Sequence, residues 1–398
     1  MEKHKGPLSG IQIIDFTQAH AGSLCTMLLA DFGAETIKIE RPGVGDQCRY
    51  WPPFKGEHSA YYSFLNRGKK SITIDARTEA GRDIIKKLVS RADVVCENFK
   101  VGNMERLGIG YEELKKVNPR LIYGSISGFG ITGPIRNSAA YDLMLQAMSG
   151  IADLTGAGEG APTKAGPAIG DHFSGVYMAI AICLALIYRE RSGEGQRAEI
   201  SILDTLFSAL DSAPVTYSIT GENPRRNGNR GRDEAPSDTF KTLDGFISIT
   251  ITTDHEWKNF CKTIERGDLV NHPNFCDARN RFENYTPGLK SIITNYVRDK
   301  NSLAVEKSLQ AAGIACARVM SIKEVIDLDH INAREMLIDV ADSQIGNIRM
   351  PGISIKLSST PGSVAFGAEA LGESSDSVLL NAGFSQDEVA AFRANQIL

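Results

Sequence analysis

Ile11-Gln12-Ile13-Ile14-Asp15-Phe16, then Ser23-Leu24-Cys25-Thr26-Met27-Leu28-Leu29-Ala30-Asp31-Phe32-Gly33, then Thr36-Ile37-Lys38-Ile39 decide the fold. The first run is apolar and of strand length. The second sets Leu24, Met27, Leu28 and Phe32 at helical spacing, and Gly33 stands where a left-handed residue ends a helix. The third is another strand. Strand, helix and strand in close succession predict a parallel sheet with right-handed crossovers.

The alternation continues outward. Ser71 to Asp75 reads as a strand, and Thr78 as the N-cap of a helix running to Val89. Val94 to Asn98 is a fourth strand, and Glu112 to Val117 is a helix stopped by Asn118-Pro119. Leu121 to Ser127 and Gln196 to Ile202 are the fifth and sixth strands. An open α/β sheet is the expected architecture. Ligands of such sheets gather at the carboxyl ends of the strands. Just past those ends stand His20 and Gly22, then Arg41, then Arg77, then Asn98, Phe99 and Lys100, with Arg106 soon after. A single Arg or Lys there is ordinarily a solvated charge. Their coincidence with strand ends points to a phosphate-bearing ligand, a nucleotide or coenzyme A. A nicotinamide dinucleotide fits poorly. Glu40 lies where a ribose-binding acid belongs, but Thr17 to Gly22 supplies one glycine where the G-x-G-x-x-G turn needs three.

Length and composition bound the rest. The 398 residues suit two domains, and 42% hydrophobic with 23% charged residues is ordinary for a soluble globular chain. The net charge of −4 argues against a general nucleic-acid binder. Seven cysteines without a C-x-x-C pair read as free thiols in a reducing compartment, so a cytoplasmic protein is expected. The N-terminus, Met1 to Ser9, is polar and has no apolar signal core. Phe173 to Tyr188 is shorter than a membrane span needs and reads as a buried core helix, so no membrane partner is expected. Residues 43–70 form a loop-rich insertion with Tyr50, Trp51, Phe54, Tyr61, Tyr62 and Phe64, a wall for a pocket or packing for the sheet.

A composition break divides the chain. Residues 220–237, with Arg225, Arg226, Arg230 and Arg232, read as a solvated linker between a large domain, 1–219, and a small α+β domain, 238–322. Leu243-Asp244-Gly245 between two strand-like runs signals a hairpin. Residues 323–398 return to the large domain, with a helix over Lys323 to Ile331, a strand through Pro351 at a sheet edge, and a capping box of Ser385 and Glu388.

One acid draws attention. Five glycines between Gly156 and Gly170 lead into Asp171, at the mouth of the apolar helix, where unpaired amides favour an anion. Asp171 is either an N-cap or a nucleophile able to form an acyl intermediate. Other constellations fail. The seven histidines are scattered, so no metal site is expected. Gly124-Ser125-Ile126-Ser127-Gly128 has isoleucine where a serine hydrolase needs its nucleophile.

Several segments carry a family resemblance. They are Leu8-Ser9-Gly10-Ile11, Asp15-Phe16-Thr17, and Asp31 through Pro42; then Ala92-Asp93-Val94, Glu97-Asn98-Phe99, and Asn118 through Tyr123; and last Gly128-Phe129-Gly130 and Gly170-Asp171. Together they resemble the class III CoA-transferase family of the CaiB/BaiF type, over nearly the whole chain. The resemblance implies a homodimer of two interlocked rings, each chain with a large Rossmann-like domain and a small domain. It implies that Asp171 is catalytic. It implies coenzyme A contacts at His20, Ala21, Arg41, Ile74, Asp75, Arg77, Asn98, Phe99, Lys100 and Arg106, and an acyl pocket at Tyr61, Tyr141 and Asp142. The implied reaction moves CoA from an acyl-CoA donor to a free carboxylic acid through an aspartyl anhydride and an aspartyl-CoA thioester. The glycine-rich backbone is expected to supply oxyanion donors. His20 stands where formyl-CoA transferases carry a glutamine. The family also contains α-methylacyl-CoA racemases, whose histidine-aspartate pair aligns with Tyr141-Asp142, so the proton base of an isomerase is missing here. A CoA-binding protein without catalysis is the third reading. The glycine run of the oxalate-specific members is absent between Asp233 and Trp257, which leaves room for a larger acceptor acid.

Overall fold

The computed structural model describes residues 6–398; Met1–Lys5, with His4 and the start of the polar N-terminus, lie outside the described residues. The chain forms two compact units. Among the described residues, one is built from 6–151, Lys164–Pro214 and His330–Leu398, the other from Ala152–Thr163 and Val215–Asp329. Residues 152–163 thus belong with the second unit, inside the span assigned from sequence to the first. The cause is local: Arg226 donates hydrogen bonds to Asp153, Ala157 and Gly160.

The first unit follows the expected alternation. Its elements are β1 (Gln12–Asp15), α1 (Ala21–Asp31), β2 (Glu35–Glu40), α2 (Ala60–Asn66), β3 (Lys69–Thr73), α3 (Glu79–Val89) and β4 (Val94–Glu97). Then come α4 (Tyr111–Val117), β5 (Ile122–Ser127), α5 (Asp142–Ser149), α6 (Ile169–Ser192), β6 (Arg197–Ser201) and α7 (Ile202–Ser208). Six strands form one parallel sheet in the order β3-β2-β1-β4-β5-β6. This is the doubly wound Rossmann order, and its direction reverses between β1 and β4. Period-two alternation sends Ile14, Ile37, Ile72 and Val95 into a core shared with α3, and Ile13, Cys96 and Ile122 into a core shared with α1 and α6. Covering both faces accounts for strands that are almost continuously apolar. Thr78 caps α3 as expected, its hydroxyl accepting from the Gly81 amide.

The long apolar helix departs from expectation. At 24 residues, α6 is long and apolar enough to cross a membrane, and one face does pack in the core through Ser174, Gly175, Met178, Ile182 and Ala185. Phe173, Tyr177, Ile180, Leu184, Ile187 and Tyr188 on the other face are 40–62% exposed. The buried-core reading therefore holds for half its circumference. Glycine brings α6 against α1: a Cβ at Gly175 would stand 2.6 Å from the Ala21 carbonyl oxygen.

The second unit carries the expected hairpin, β7 (Ser237–Lys241) and β8 (Phe246–Thr250), followed by α8 (Asp254–Thr263), α9 (Lys290–Val297), α10 (Ser302–Ala311) and β9 (Ala315–Arg318). The three strands are antiparallel in the order β9-β8-β7. Trp257, Phe260, Tyr285 and Leu289 centre its core. Back in the first unit, Pro351 ends β11 (Gly346–Pro351), which pairs only with β10 (Leu337–Asp342) in a two-stranded ribbon apart from the main sheet. In place of one helix over Lys323 to Ile331 there are two short ones, Ile322–Ile326 and Asp329–Ala333. Ser385 and Glu388 form the capping box read from sequence.

Candidate active site

A cavity of 390 Å³ opens where the strand order reverses, past the ends of β1, β4 and β5. It brings together His20, Ala21, Tyr61, Asn98, Phe99, Lys100, Tyr141, Asp142 and Asp171, all of them read from sequence. Phe99 also borders a second cavity of 270 Å³ that holds Arg106, whose guanidinium bonds Asn103. Arg41, Ile74, Asp75 and Arg77 line neither cavity. They follow β2 and β3, toward the sheet edge and away from the reversal. Ile74 is buried in the main core, and Arg77 pairs with Asp75 at 2.5 Å.

The turn after β1 is held by a buried polar network. Lys69 pairs with Asp15 at 3.1 Å, and Lys38 with Asp46 at 2.9 Å, all four side chains at most 1% exposed. Asp46 Oδ1 accepts from the Ala19 amide at 3.0 Å, and Lys38 donates to the Thr17 carbonyl at 2.6 Å. The Asn98 side chain both accepts from the Gln18 amide and donates to the Gln18 carbonyl, each at 2.8 Å. These bonds hold Ala19 at a φ of 57°, a conformation that L residues adopt only when their surroundings demand it. The turn presents His20 to the cavity. Asn98 is thereby committed to the backbone, a use that sequence reasoning missed.

Asp171 is not an N-cap. Helix α6 begins at Ile169, its N-cap position is Ala168, and no side chain caps it from that position. The helix amides are satisfied from a distance: Asp142 Oδ1 accepts from Gly170 at 2.8 Å and from Asp171 at 3.3 Å. Those two amides are therefore not free for an oxyanion, contrary to the expectation for this part of the glycine-rich backbone. Gly170 permits the approach, since a Cβ there would lie 2.9 Å from Asp142 Oδ1. Asp142 Oδ2 accepts from Gln146 Nε2 at 2.6 Å, and Gln146 Oε1 accepts from the Ala165 amide at 2.9 Å. Gln146 is fully buried and was missed from sequence, although it lies four residues beyond Asp142 on one helix face.

The Asp171 carboxylate itself accepts no hydrogen bond from the described residues. Burial, and then the charge of Asp142, push its pKa up to about 7. A desolvated carboxylate facing a cavity is a functional-site signature. His20 is the opposite case. Burial, and then His172, push it down to about 4, outweighing the pull of Asp142, so its ring is neutral near pH 7. Its Nδ1 is 2.7 Å from Tyr61 Oη, while its Nε2 is buried without a hydrogen-bond partner among the described residues. Tyr61 in turn packs against Trp51 with ring centroids 5.6 Å apart, which places part of the aromatic insertion on the pocket wall.

Sheet order and cavity define an α/β protein with a cavity at the topological switch point, where such sheets take their ligands. Comparison with known proteins gives the family. Residues 8–375 match CoA-transferase family III. The chain is 40% identical to the acetyl-CoA:oxalate CoA-transferase of Acetobacter aceti over 89% of this chain and 90% of that one. It is 38% identical to the succinyl-CoA:mesaconate CoA-transferase of Haloarcula hispanica, over 95% and 97%. It is 32% identical to the human succinyl-CoA:glutarate CoA-transferase, over 88% and 80%. Among solved structures, a CaiB/BaiF family protein from Brucella suis superimposes with a TM-score of 0.86 at 33% identity, covering 95% of this chain and 100% of that one. The chain belongs to CoA-transferase family III and is an enzyme of that class.

Proposed function

We propose that the enzyme moves CoA from an acyl-CoA donor to a free carboxylic acid, with Asp171 as the covalent carrier. One observation carries this reading: the unpaired, desolvated carboxylate of Asp171 in a cavity at the sheet's switch point. A carboxylate oxygen of Asp171 attacks the thioester carbonyl, the C–S bond breaks, and CoA leaves as thiolate from a mixed anhydride. The thiolate attacks the aspartyl carbonyl, releasing the donor acid and leaving an aspartyl-CoA thioester. The acceptor carboxylate attacks that thioester and expels the thiolate again. The thiolate then takes the acceptor's acyl group and frees Asp171.

Each tetrahedral step needs a donor for its oxyanion. With Gly170 and Asp171 amides bonded to Asp142, His20 is the group available. Tyr61 donating to Nδ1 puts the ring proton on Nε2, the atom without a partner. Phe99 carries the pantetheine arm from the Asp171 cavity toward Arg106, and the cations Lys100 and Arg106 on these two cavities suit the phosphates of coenzyme A. Tyr61, Tyr141 and Trp51 face the acyl group. The relatives' names make dicarboxylic acids the first acceptors to try. The test is a panel: acetyl-CoA and succinyl-CoA as donors against oxalate, mesaconate, glutarate and citramalate. CoA transfer to at least one acid is expected. Deuterium entering a 2-methylacyl-CoA without any acceptor, and no transfer in the panel, would favour the racemase instead.

We also infer that the protein works as a homodimer, for which an interlocked ring is the expected form. The support is the exposed apolar face of α6, with Leu184 62% and Ile180 52% exposed. Covering such side chains is worth about 2 kcal/mol each. Leu184→Glu should therefore shift the protein from twice the chain mass toward the single-chain mass in light scattering. A wild type already at the single-chain mass would contradict the dimer.

A further inference from the structure

Glu40 ends β2 where a dinucleotide site would keep its ribose-binding acid, yet it is buried and spent within the protein. Its Oε1 accepts from the Asp46 amide and from Arg49 Nε, each at 2.8 Å. Its Oε2 accepts from Arg49 Nη2 and Ser71 Oγ, each at 2.7 Å, and from Tyr62 Oη at 3.1 Å. An acid so engaged fixes the chain that follows it. The bend needs glycine at 45, where φ is 70° and a Cβ would stand 2.9 Å from Arg49 Cδ. Asp46 comes next, its backbone already anchored by Glu40.

The Asp46 carboxylate reaches back to the turn after β1. Its Oδ1 accepts from the Ala19 amide and from the Cys48 amide, each at 3.0 Å. Its Oδ2 pairs with Lys38 at 2.9 Å, and Lys38 also holds the Thr17 carbonyl. Burial opposes ionisation of Asp46, but Lys38 and the two amides outweigh it and hold the carboxyl below its ordinary value. The bond to Ala19 is therefore charge-assisted, the stronger kind. Asn98 holds Gln18 on the near side, and His20 follows on the far side. An alanine at a φ of 57° relaxes to negative φ once its grip is gone, and that rotation carries the next side chain with it. We propose that Asp46 is a positioning residue for His20, its bond to the Ala19 amide keeping the turn in the conformation that sets His20 against Tyr61 in the cavity. The proposal rests on the reading of His20 as the oxyanion donor. Small misplacements of reacting groups lower turnover more than binding.

The test is a double-mutant cycle in the full chain, with the donor–acceptor pair that the wild type uses fastest. Asp46→Asn keeps the volume but has one oxygen, which cannot serve both the amides and Lys38. Its kcat should fall about tenfold or more while KM for acyl-CoA stays within about twofold. In a His20→Ala background the same substitution should cost no more than about twofold, because the group it positions is gone. Asp46→Glu keeps the charge beside Lys38 but displaces the oxygens by one methylene, and it carries the cycle if Asp46→Asn does not fold. A loss of equal size in both backgrounds, an unchanged kcat, or a rise in KM alone would overturn the proposal. Histidine-selective ¹⁵N labelling reads the ring itself, with the His20 signals assigned by their loss in His20→Ala. They should report a neutral ring protonated on Nε2 in the wild type and a mixture of tautomers in the Asp46 variants, with His255, His272 and His330 unmoved. If the wild type transfers CoA to no acid, the functional reading fails, and the ring signals decide. A change at His20 that spares those three histidines supports the positioning role; an unmoved His20, or changes in every ring, overturns it.

Discussion

Asp171→Ala loses CoA transfer by about four orders of magnitude or more while still binding acyl-CoA. The size follows from removing a covalent nucleophile that no neighbour replaces. Asp142 cannot take over, because its two oxygens are spent on the amides of Gly170 and Asp171 and on Gln146. Binding survives because the rest of the pocket, from Phe99 to Lys100, is untouched. The pH dependence of the wild type has a definite sign. With Asp171 raised to about 7, kcat/KM at low acyl-CoA climbs as pH rises through that value and levels above it. Stability runs the other way. The folded state holds its proton over the window from 3.8 to about 7, so the Asp171 contribution to stability declines as pH rises through that window. Asp171→Asn should therefore raise the melting temperature at pH 8, and less at pH 5. A variant that is inactive yet more stable is not a misfolded one.

His20→Ala lowers kcat by about 10² to 10³, the cost of removing one preorganised oxyanion donor. Tyr61→Phe has a smaller effect of the same kind, since it leaves the ring but frees Nδ1 and the choice of tautomer. The hydrogen bond at 2.7 Å and the orphaned Nε2 set this order. His20→Gln should retain more activity than alanine, because an amide can donate from a similar place. Equal loss in both variants would mean that His20 serves only to pack the turn after β1. Rate constants at saturating acyl-CoA are the measurement, because the effect belongs to the transition state and not to binding.

The sheet was legible in the sequence because each strand is an apolar run and each helix has its own period and stop signal. Thr78, Gly33 and the Ser385–Glu388 box show that the local signals act locally. What escaped was tertiary. Arg41, Asp75 and Arg77 do follow strands, but β2 and β3 lie away from the reversal, and strand order is not a local property. The apolar circumference of α6 reads the same whether its second face meets this chain or another surface. Leu337–Asp342 escaped because Asp339 and Asp342 interrupt its apolar run. At the site, Asp171 was visible as a lone acid behind glycines, but its freedom from capping was not. That freedom depends on Asp142, 29 positions earlier in the chain, arriving at the Asp171 amide.

The central claim is that Asp171 carries the acyl group. Its most direct measurement is mass mapping of the enzyme incubated with acyl-CoA and then quenched with hydroxylamine or borohydride. The account predicts modification of Asp171, dependent on acyl-CoA and absent from Asp171→Ala. Steady turnover with Asp171 unmodified, or with the adduct on another residue, would contradict it.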